Sequence, residues 1–449
     1  MAGGSRRAVA VLCGIQFVDV LGVTSGITAL PAMLAGVSAP AAATPILATA
    51  YAMCFGGLLV LGARLGDRYG HRRVLLLGCT AFALVSLIGA GAQEVVQLVA
   101  ARGLQGAAAA VSVPSALRLL LDTAPEPDDR RGALAAWSAT GAAAGALGLL
   151  VGGVLTDVLG WRAVFWVNVP VGILLVVAVR LVIARSAPDP EQPRLDLPGA
   201  ALLTGSVMAI IVGASLAENP AGRIAGGLLV AAGVAAGAGF LAQQRRARAP
   251  LVPRAAFGSV NLRTGTVVSF VNTATTSSAG VLATLVLQRE LGVSAVGAGL
   301  TLLPFSLGVI VGSAVTKPLG ARLTPRRLAA AGLGGIGAGT LLLVLTYGSV
   351  AGILAGVSVA GIGLGVASVA GTAIGTDVAE SLEGTASGVL NTGAQLGTAL
   401  GVAALLLVAD GAGTAVAWGV AAGMAAVTAL SLGGRVRAGT ATRDVAGHR

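Results

Sequence analysis

The chain has 449 residues, of which 55% are hydrophobic and only 10% charged. So little polar surface cannot cover a soluble globule, which excludes a water-soluble enzyme or binding domain and implies a polytopic helical membrane protein. The net charge of +11 would suit a nucleic-acid partner, but the basic residues gather in short segments between apolar runs, the pattern that sets membrane topology, so no nucleic acid is expected.

Apolar runs predict all-α architecture with fourteen crossings, at 8–30, 44–62, 74–92, 95–119, 133–156, 163–184, 197–216, 222–242, 263–287, 297–316, 328–347, 350–374, 385–409 and 414–433. Polar links lie at 185–194 and 243–254. The expected organisation is a six-helix bundle over 1–185, two inserted helices with their linkers over 186–254, and a second six-helix bundle over 255–449. An even number of crossings puts both termini on one side. Placing them in the cytoplasm leaves only Arg162, Arg223 and Arg289 outside, with Arg102 inside a crossing. Arg6 and Arg7 ahead of the first run resemble a secretory leader, but the run is too long for one and contains Asp19, so a retained helix is expected. All basic residues but Lys317 and the histidines are arginines, and alanine and glycine are abundant, as in GC-rich bacterial genomes.

In the first crossing, Asp19 sits about a dozen residues from either end, near mid-bilayer. A charge there costs about 2.5–3.5 kcal/mol on insertion scales, so it faces a cavity or a partner. Two readings stand: a proton-coupling carboxyl that loads and releases a proton, or a permanently paired ion that orders the bundle. Arg102 in the fourth crossing lies at matching depth and is the expected partner.

Residues 62–73, GARLGDRYGHRR, form a charged island between the second and third crossings, read as a short cytoplasmic loop in which Asp67 caps helix N–H groups and the glycines permit a tight turn. This run resembles the signature loop of the major facilitator superfamily, with Ala63 in place of that family's first Gly and His71 in place of a basic residue. The resemblance implies the major facilitator fold and assigns Asp67, Arg68, Gly70 and Arg72 to a cytoplasmic gating loop. Arg102-Gly103-Leu104-Gln105-Gly106 is similar to the superfamily's fourth-helix Arg-x-x-Gln-Gly pattern, associated there with proton translocation.

The fifth crossing carries Gly141, Gly145, Gly148 and Gly152 on one helical face, suited either to simple close packing or to a sliding surface. It resembles the antiporter signature Gly-x-x-x-Gly-Pro-x-x-Gly-Gly, with Leu149 at the Pro position, Ala144 at an expected Gly, and Gly152-Gly153 keeping its end. Next, Trp161-Arg162-Ala163-Val164-Phe165-Trp166-Val167-Asn168-Val169-Pro170 places aromatics at the expected outer interface. Similar runs mark the 14-helix drug:proton antiporter family 2, as do Asp196-Leu197-Pro198-Gly199 and the segment 384–401. In that family the first-helix acid sits where this chain has Gly22, almost one turn from Asp19. Gly62-Ala63-Arg64-Leu65 recurs as Gly320-Ala321-Arg322-Leu323, consistent with a duplicated half.

Gln16, Tyr51, Gln105, Asn272, Thr276, Asn391 and Gln395 are candidate substrate-cavity residues, each open to the alternative that it only bonds neighbouring helices. Cys13, Cys54 and Cys79 lie in apolar runs without metal-ligand spacing, and His71 and His448 fall outside the crossings, so no metal, cofactor or catalytic constellation is expected. The resemblance implies a monomeric proton-coupled exporter of amphipathic drugs or antibiotics in a bacterial inner membrane, in contact with lipid and working by alternating access. The alternatives are a dedicated exporter of one natural product and, with less support, a non-transporting sensor or assembly factor.

Overall fold

The computed structural model describes residues 3–40, 43–124, 126–184, 196–217, 222–247, 250–251, 258–379 and 382–441. The link at 185–194 and part of that at 243–254 lie outside the described residues. Among those described, twelve helices are long and apolar enough to span a bilayer. The bent pair Thr44–Leu59 and Leu61–Tyr69, turning by 50°, would make thirteen, and the apolar helix Leu197–Gly213 is shorter. Length and apolarity therefore support twelve or thirteen of the fourteen crossings expected.

The chain packs as two compact units, one of Met1–Arg254 with Thr284–Leu303, the other of Ala255–Ala283 with Pro304–Arg449. This division differs from the expected one in two places. The inserted helices belong to the first unit, and so does the segment 284–303.

The first unit contains α1 (Gly3–Gly36), α2 (Thr44–Tyr69), α3 (His71–Ala90), α4 (Val95–Asp122), α5 (Pro127–Leu159), α6 (Ala163–Trp166), α7 (Asn168–Val182), α8 (Leu197–Ala217) and α9 (Arg223–Arg246). Glycines decide how closely these helices meet. A side chain at Gly62 would run into the Ala110–Val111 backbone, and one at Gly78 into Ser112 and the Ala108 carbonyl, so α2 and α3 both lie directly on α4. The inserted pair forms a hairpin in which Gly213 and Gly226 face each other's backbone, and Ser206 donates to the Gly233 carbonyl at 2.7 Å. Buried Asp196 closes it, accepting from the Gly199 amide (2.9 Å), Gln243 (3.2 Å) and Gln244 (2.8 Å), which ties the start of α8 to the end of α9.

The charged island is helical, not a loop. Helix α2 runs through Tyr69, α3 starts at His71, and Gly70 alone, at φ +90°, turns the chain. Asp67 lies in the last turn of α2 and bonds His71 Nε2 at 3.1 Å, so it does not cap α3 as the sequence reading had it. The aromatic run also differs from expectation. Trp161 and Phe165 are buried, Phe165 filling the space over Gly89, and only Trp166 faces outward. An inward Trp is stabilised here by edge contact with Phe165 and by the Arg162 guanidinium stacked at 4.2 Å.

The second unit holds α10 (Val260–Leu285) up to Ala283, the part of α11 (Ala295–Gly320) from Pro304, α12 (Pro325–Thr346), α13 (Val350–Gly375), α14 (Glu383–Ala412) and α15 (Thr414–Ala441). Thr324 and Ser349 cap α12 and α13 by accepting from Arg327 and Gly352 amides. Its core joins Val268, Leu333, Ile336, Val366 and Ala367. The two units repeat one pairing. Gly393, Gly397 and Gly401 of α14 sit on Thr266, Phe270 and Ala274 of α10, much as the glycines of α5 sit on α1 in the first unit.

The α12–α13 seam gives a direct test of packing. A Cβ on Gly363 would lie 2.5 Å from the Ile336 nitrogen and 2.6 Å from the Gly332 carbonyl, whereas Gly334 faces open space. Gly363→Val should lower the thermal midpoint in detergent by an amount equivalent to about 1–3 kcal/mol. Gly334→Ala should leave it unchanged or raise it, since Ala in a helix is favoured by about 0.5–1 kcal/mol.

Candidate functional site

Asp19 is a buried acid of the first unit, 8% exposed at mid-helix in α1. Its Oδ1 accepts a hydrogen bond from the hydroxyl of Tyr51 on α2, itself buried. Arg102 on α4 stacks its guanidinium 5.2 Å from the centre of the Tyr51 ring. The same guanidinium donates to the Gly22 carbonyl and to Gln105 Oε1, both at 3.3 Å. Gln105 in turn donates to Ser86 Oγ at 2.8 Å, and Ser86 to the Phe82 carbonyl at 2.7 Å. Arg102 fits because position 26 lacks a side chain: a Cβ on Gly26 would lie 2.6 Å from Nη2. No ion pair within 4 Å joins Asp19 to Arg102 among the described residues; Tyr51 stands against both. Two charged groups and a phenol thus share one buried cluster, in which any change in the carboxyl's protonation alters what the Tyr51 hydroxyl and the guanidinium face.

The polar set named from the sequence divides by burial. Tyr51, Gln105, Asn272 and Thr276 are all at most 3% exposed. Asn272 donates to Ser368 Oγ at 2.8 Å while its own Oδ1 is buried without a partner, and Thr276 bonds back to the Asn272 carbonyl at 2.7 Å. Gln16 and Gln395 are half-buried and Asn391 is exposed. Within the second unit the α10–α14 seam carries polar links that sequence reading missed, Thr273 to the Ala394 carbonyl (2.6 Å) and Ser277 with Thr398 (3.2 Å). Hydroxyls one helical turn apart on facing glycine-rich runs were the available signal.

In the turn between α2 and α3, Arg68 lies over the Tyr69 ring at 5.6 Å, and Arg72 donates to the Arg180 carbonyl at 2.9 Å. The His71 ring packs on Gly66, where its Nδ1 is buried without a partner.

All four glycines of the α5 face meet α1. Gly141 is against Gln16, Gly145 against Val20, Gly148 against Leu21 and Thr24, and Gly152 against Ser25 and Thr28. The fit is uneven along the helix, loosest at Gly145 and tightest at Gly148 and Gly152. At Gly145 a Cβ would make an ordinary contact at 3.8 Å with a Val20 methyl, whereas at Gly152 it would lie 2.5 Å from the Ser25 Cα. At Gly148 and Gly152 the face meets the backbone of the helix bearing Asp19, whereas at Gly141 and Gly145 it meets only side chains.

A sequence model described as the Major Facilitator Superfamily matches residues 12–256 and 265–445. The chain is 36% identical over 332 residues to the cephamycin export protein CmcT of Amycolatopsis lactamdurans, covering 73% of this chain and 68% of that one. It is 35% identical to the puromycin resistance protein pur8 of Streptomyces alboniger, covering 70% and 62%, and 32% identical to the multidrug efflux pump LfrA of Mycolicibacterium smegmatis, covering 73% and 65%. The matched part thus spans about two thirds of each of these relatives. Among solved structures, the peptide-transporter-family protein PepTSo superposes with a TM-score of 0.71 over 96% of this chain and 98% of that one, at 16% identity, a likeness of fold alone.

The uneven α1–α5 contact predicts unequal effects at chemically identical positions. Gly145→Ala should retain transport and thermal stability. Gly152→Ala should lower the midpoint by the equivalent of about 1–3 kcal/mol and reduce flux in parallel, read by thermal unfolding and vesicle transport.

Proposed function

This chain belongs to the Major Facilitator Superfamily of membrane transport proteins, and on that premise we propose that it is a proton-coupled antiporter exporting amphipathic drugs or antibiotics by alternating access. Family membership makes it a multi-pass transport protein and not an enzyme. The observation that carries the coupling is the buried Asp19 carboxyl bonded to Tyr51, with the Arg102 guanidinium over the same ring.

In this reading Asp19 takes up a proton when its site opens outward. A neutral acid is a weaker acceptor than a carboxylate, so Tyr51 is released from its charge-assisted bond and the Arg102 charge loses its counterweight. The resulting imbalance favours the conformation in which the proton leaves on the cytoplasmic side. Of the polar set, Gln16, Asn391 and Gln395 contact the substrate, being the members that are not fully buried, although the Gln16 Oε1 itself is covered. Tyr51, Gln105, Asn272 and Thr276 position the helices behind them. Asp67, Arg68, Gly70 and Arg72 form the cytoplasmic gating turn, and Gly141, Gly145, Gly148 and Gly152 supply the seat on which α1 shifts. The protein acts as a monomer in a bacterial inner membrane with both termini cytoplasmic, using protons and no further cofactor.

A second reading is export of one natural product for self-protection. It is favoured by relatives named for a single antibiotic, among them the cephamycin exporter and the puromycin resistance protein. Drug uptake into inverted vesicles, across a chemically mixed panel under an imposed pH gradient, separates the two: broad uptake supports the multidrug reading, uptake of a single scaffold the dedicated one.

Asp19→Asn should abolish flux driven by the pH gradient with the thermal midpoint kept, and undiminished flux in that variant would remove Asp19 from coupling. Tyr51→Phe, which withdraws one donor from a buried carboxyl, should slow gradient-driven flux about tenfold, the equivalent of a hydrogen bond to a charged group.

A further inference from the structure

At the opposite end of the first unit from the Gly70 turn, Asp157 occupies the last turn of α5. An acid there opposes its own helix dipole. It is compensated by another helix. Asp157 Oδ1 accepts from the Ala295 amide at 3.2 Å and Oδ2 from the Val296 amide at 2.9 Å, at the N-terminus of α11. Ser294 Oγ takes the Gly297 amide at 3.1 Å and the Ser294 carbonyl the Ala298 amide at 2.8 Å, so every N–H of that first turn has an acceptor. Two of the four depend on a residue 138 or more positions away.

Three further observations concern the same segment. Its backbone is seated without intervening side chains, since a Cβ on Gly299 would lie 2.5 Å from the Leu149 carbonyl and one on Gly153 would strike the Ala295 carbonyl. Gln288 Nε2 donates to the Thr28 carbonyl of α1 at 2.9 Å. Beside it a cavity of about 450 Å³ is lined by Pro31, Ala35, Asp157, Gln288 and Arg289.

The segment is also jointed at both ends. It joins the first unit between Thr284 and Leu303, although the chain on either side belongs to the second. At its start α10 passes into a π-helical turn, Val286–Glu290, followed by Gly292 at φ +64°. At its end Pro304 lies inside α11. A π turn and a proline are the usual sites at which a helix bends.

We propose that residues 284–303 are a hinged clip that closes the transport path at this end of the first unit, with Asp157 as its latch. Asp157 is a positioning residue: it touches no substrate and acts by holding the clip on α5. Because Asp157 is exposed, water replaces its two bonds when the clip lifts, and the latch is easily broken. Gly152-Gly153 serve two neighbours at once, the first receiving α1 and the second the clip. The inference rests on alternating access but not on which substrate or ion is carried.

The test is therefore made without substrate or gradient. Ala295, 5% exposed, is covered while the clip is seated. Ala295→Cys is labelled with a membrane-impermeant maleimide in intact cells and in inverted vesicles, against a blank set by Cys13, Cys54 and Cys79 in the unsubstituted chain. Adding Asp157→Ala should accelerate labelling about fivefold, the usual effect of losing a cap, from one side of the membrane only. Adding Pro304→Ala, which stiffens one joint without touching the latch, should slow it. A fall in thermal midpoint with labelling unchanged in the Asp157→Ala variant would make the contact merely structural and overturn the clip, as would acceleration by Pro304→Ala. Loss of gradient-driven flux in Asp19→Asn is a separate measurement, so failure of coupling and failure of the clip are told apart.

Discussion

Helices immersed in lipid gain nothing from hiding apolar surface against each other, because the acyl chains are as apolar as leucine. What holds them is the number of atoms brought into contact, and that depends on how near two backbones can come. In this protein the approach is set by absent side chains. Gly62 and Gly106 let α2 meet α4, Gly148 and Gly152 let α5 meet α1, and Gly397 and Gly401 let α14 meet α10. Each such contact fixes the depth and rotation of a helix, and so the position of any polar group it carries. Asp19 meets Tyr51 and Arg102 because α1 is clamped by α5 along one flank and accepts Arg102 over Gly26 on another.

The second constraint is that polar groups at membrane depth need partners inside the protein. The first unit meets it with a chain of bonds from Asp19 through Tyr51, then Arg102 and Gln105 to Ser86. The inserted hairpin meets it with Asp196, which accepts from one amide and two glutamines. These two carboxyls differ in kind. Asp196 is held by neutral donors on its own hairpin and serves to close it. Asp19 shares its site with a cation and a phenol from two other helices, so its ionisation bears on how three helices sit together.

Much of this was legible in the chain because the bilayer imposes simple rules. Apolar run length located the helices, and an acid at mid-run marked Asp19 as a group requiring company. Glycine spacing on the fifth crossing identified a packing face, and the structure places that face on α1. The matching face at Gly393, Gly397 and Gly401 has a similar spacing and lies in the segment 384–401, where the resemblance gives no packing role, nor one to the hydroxyls of Thr273, Ser277 and Thr398 beside it. The loop reading of 62–73 failed for a physical reason. Charged residues at a membrane surface continue a helix as readily as they form a loop, and one glycine at positive φ suffices to reverse the chain.

The sequence by itself determined the class of protein, the order of its helices and the residues whose charge in lipid demands an explanation, since hydropathy and the cost of burying charge are local properties of a run. Only the tertiary structure decided who answers that demand. Tyr51 bonds Asp19, the Arg102 guanidinium lies over the Tyr51 ring, and Asp157 of α5 meets the start of a helix far along the chain. Such pairings depend on how helices rotate against one another, a quantity set by close contact between distant segments and absent from any single run of residues.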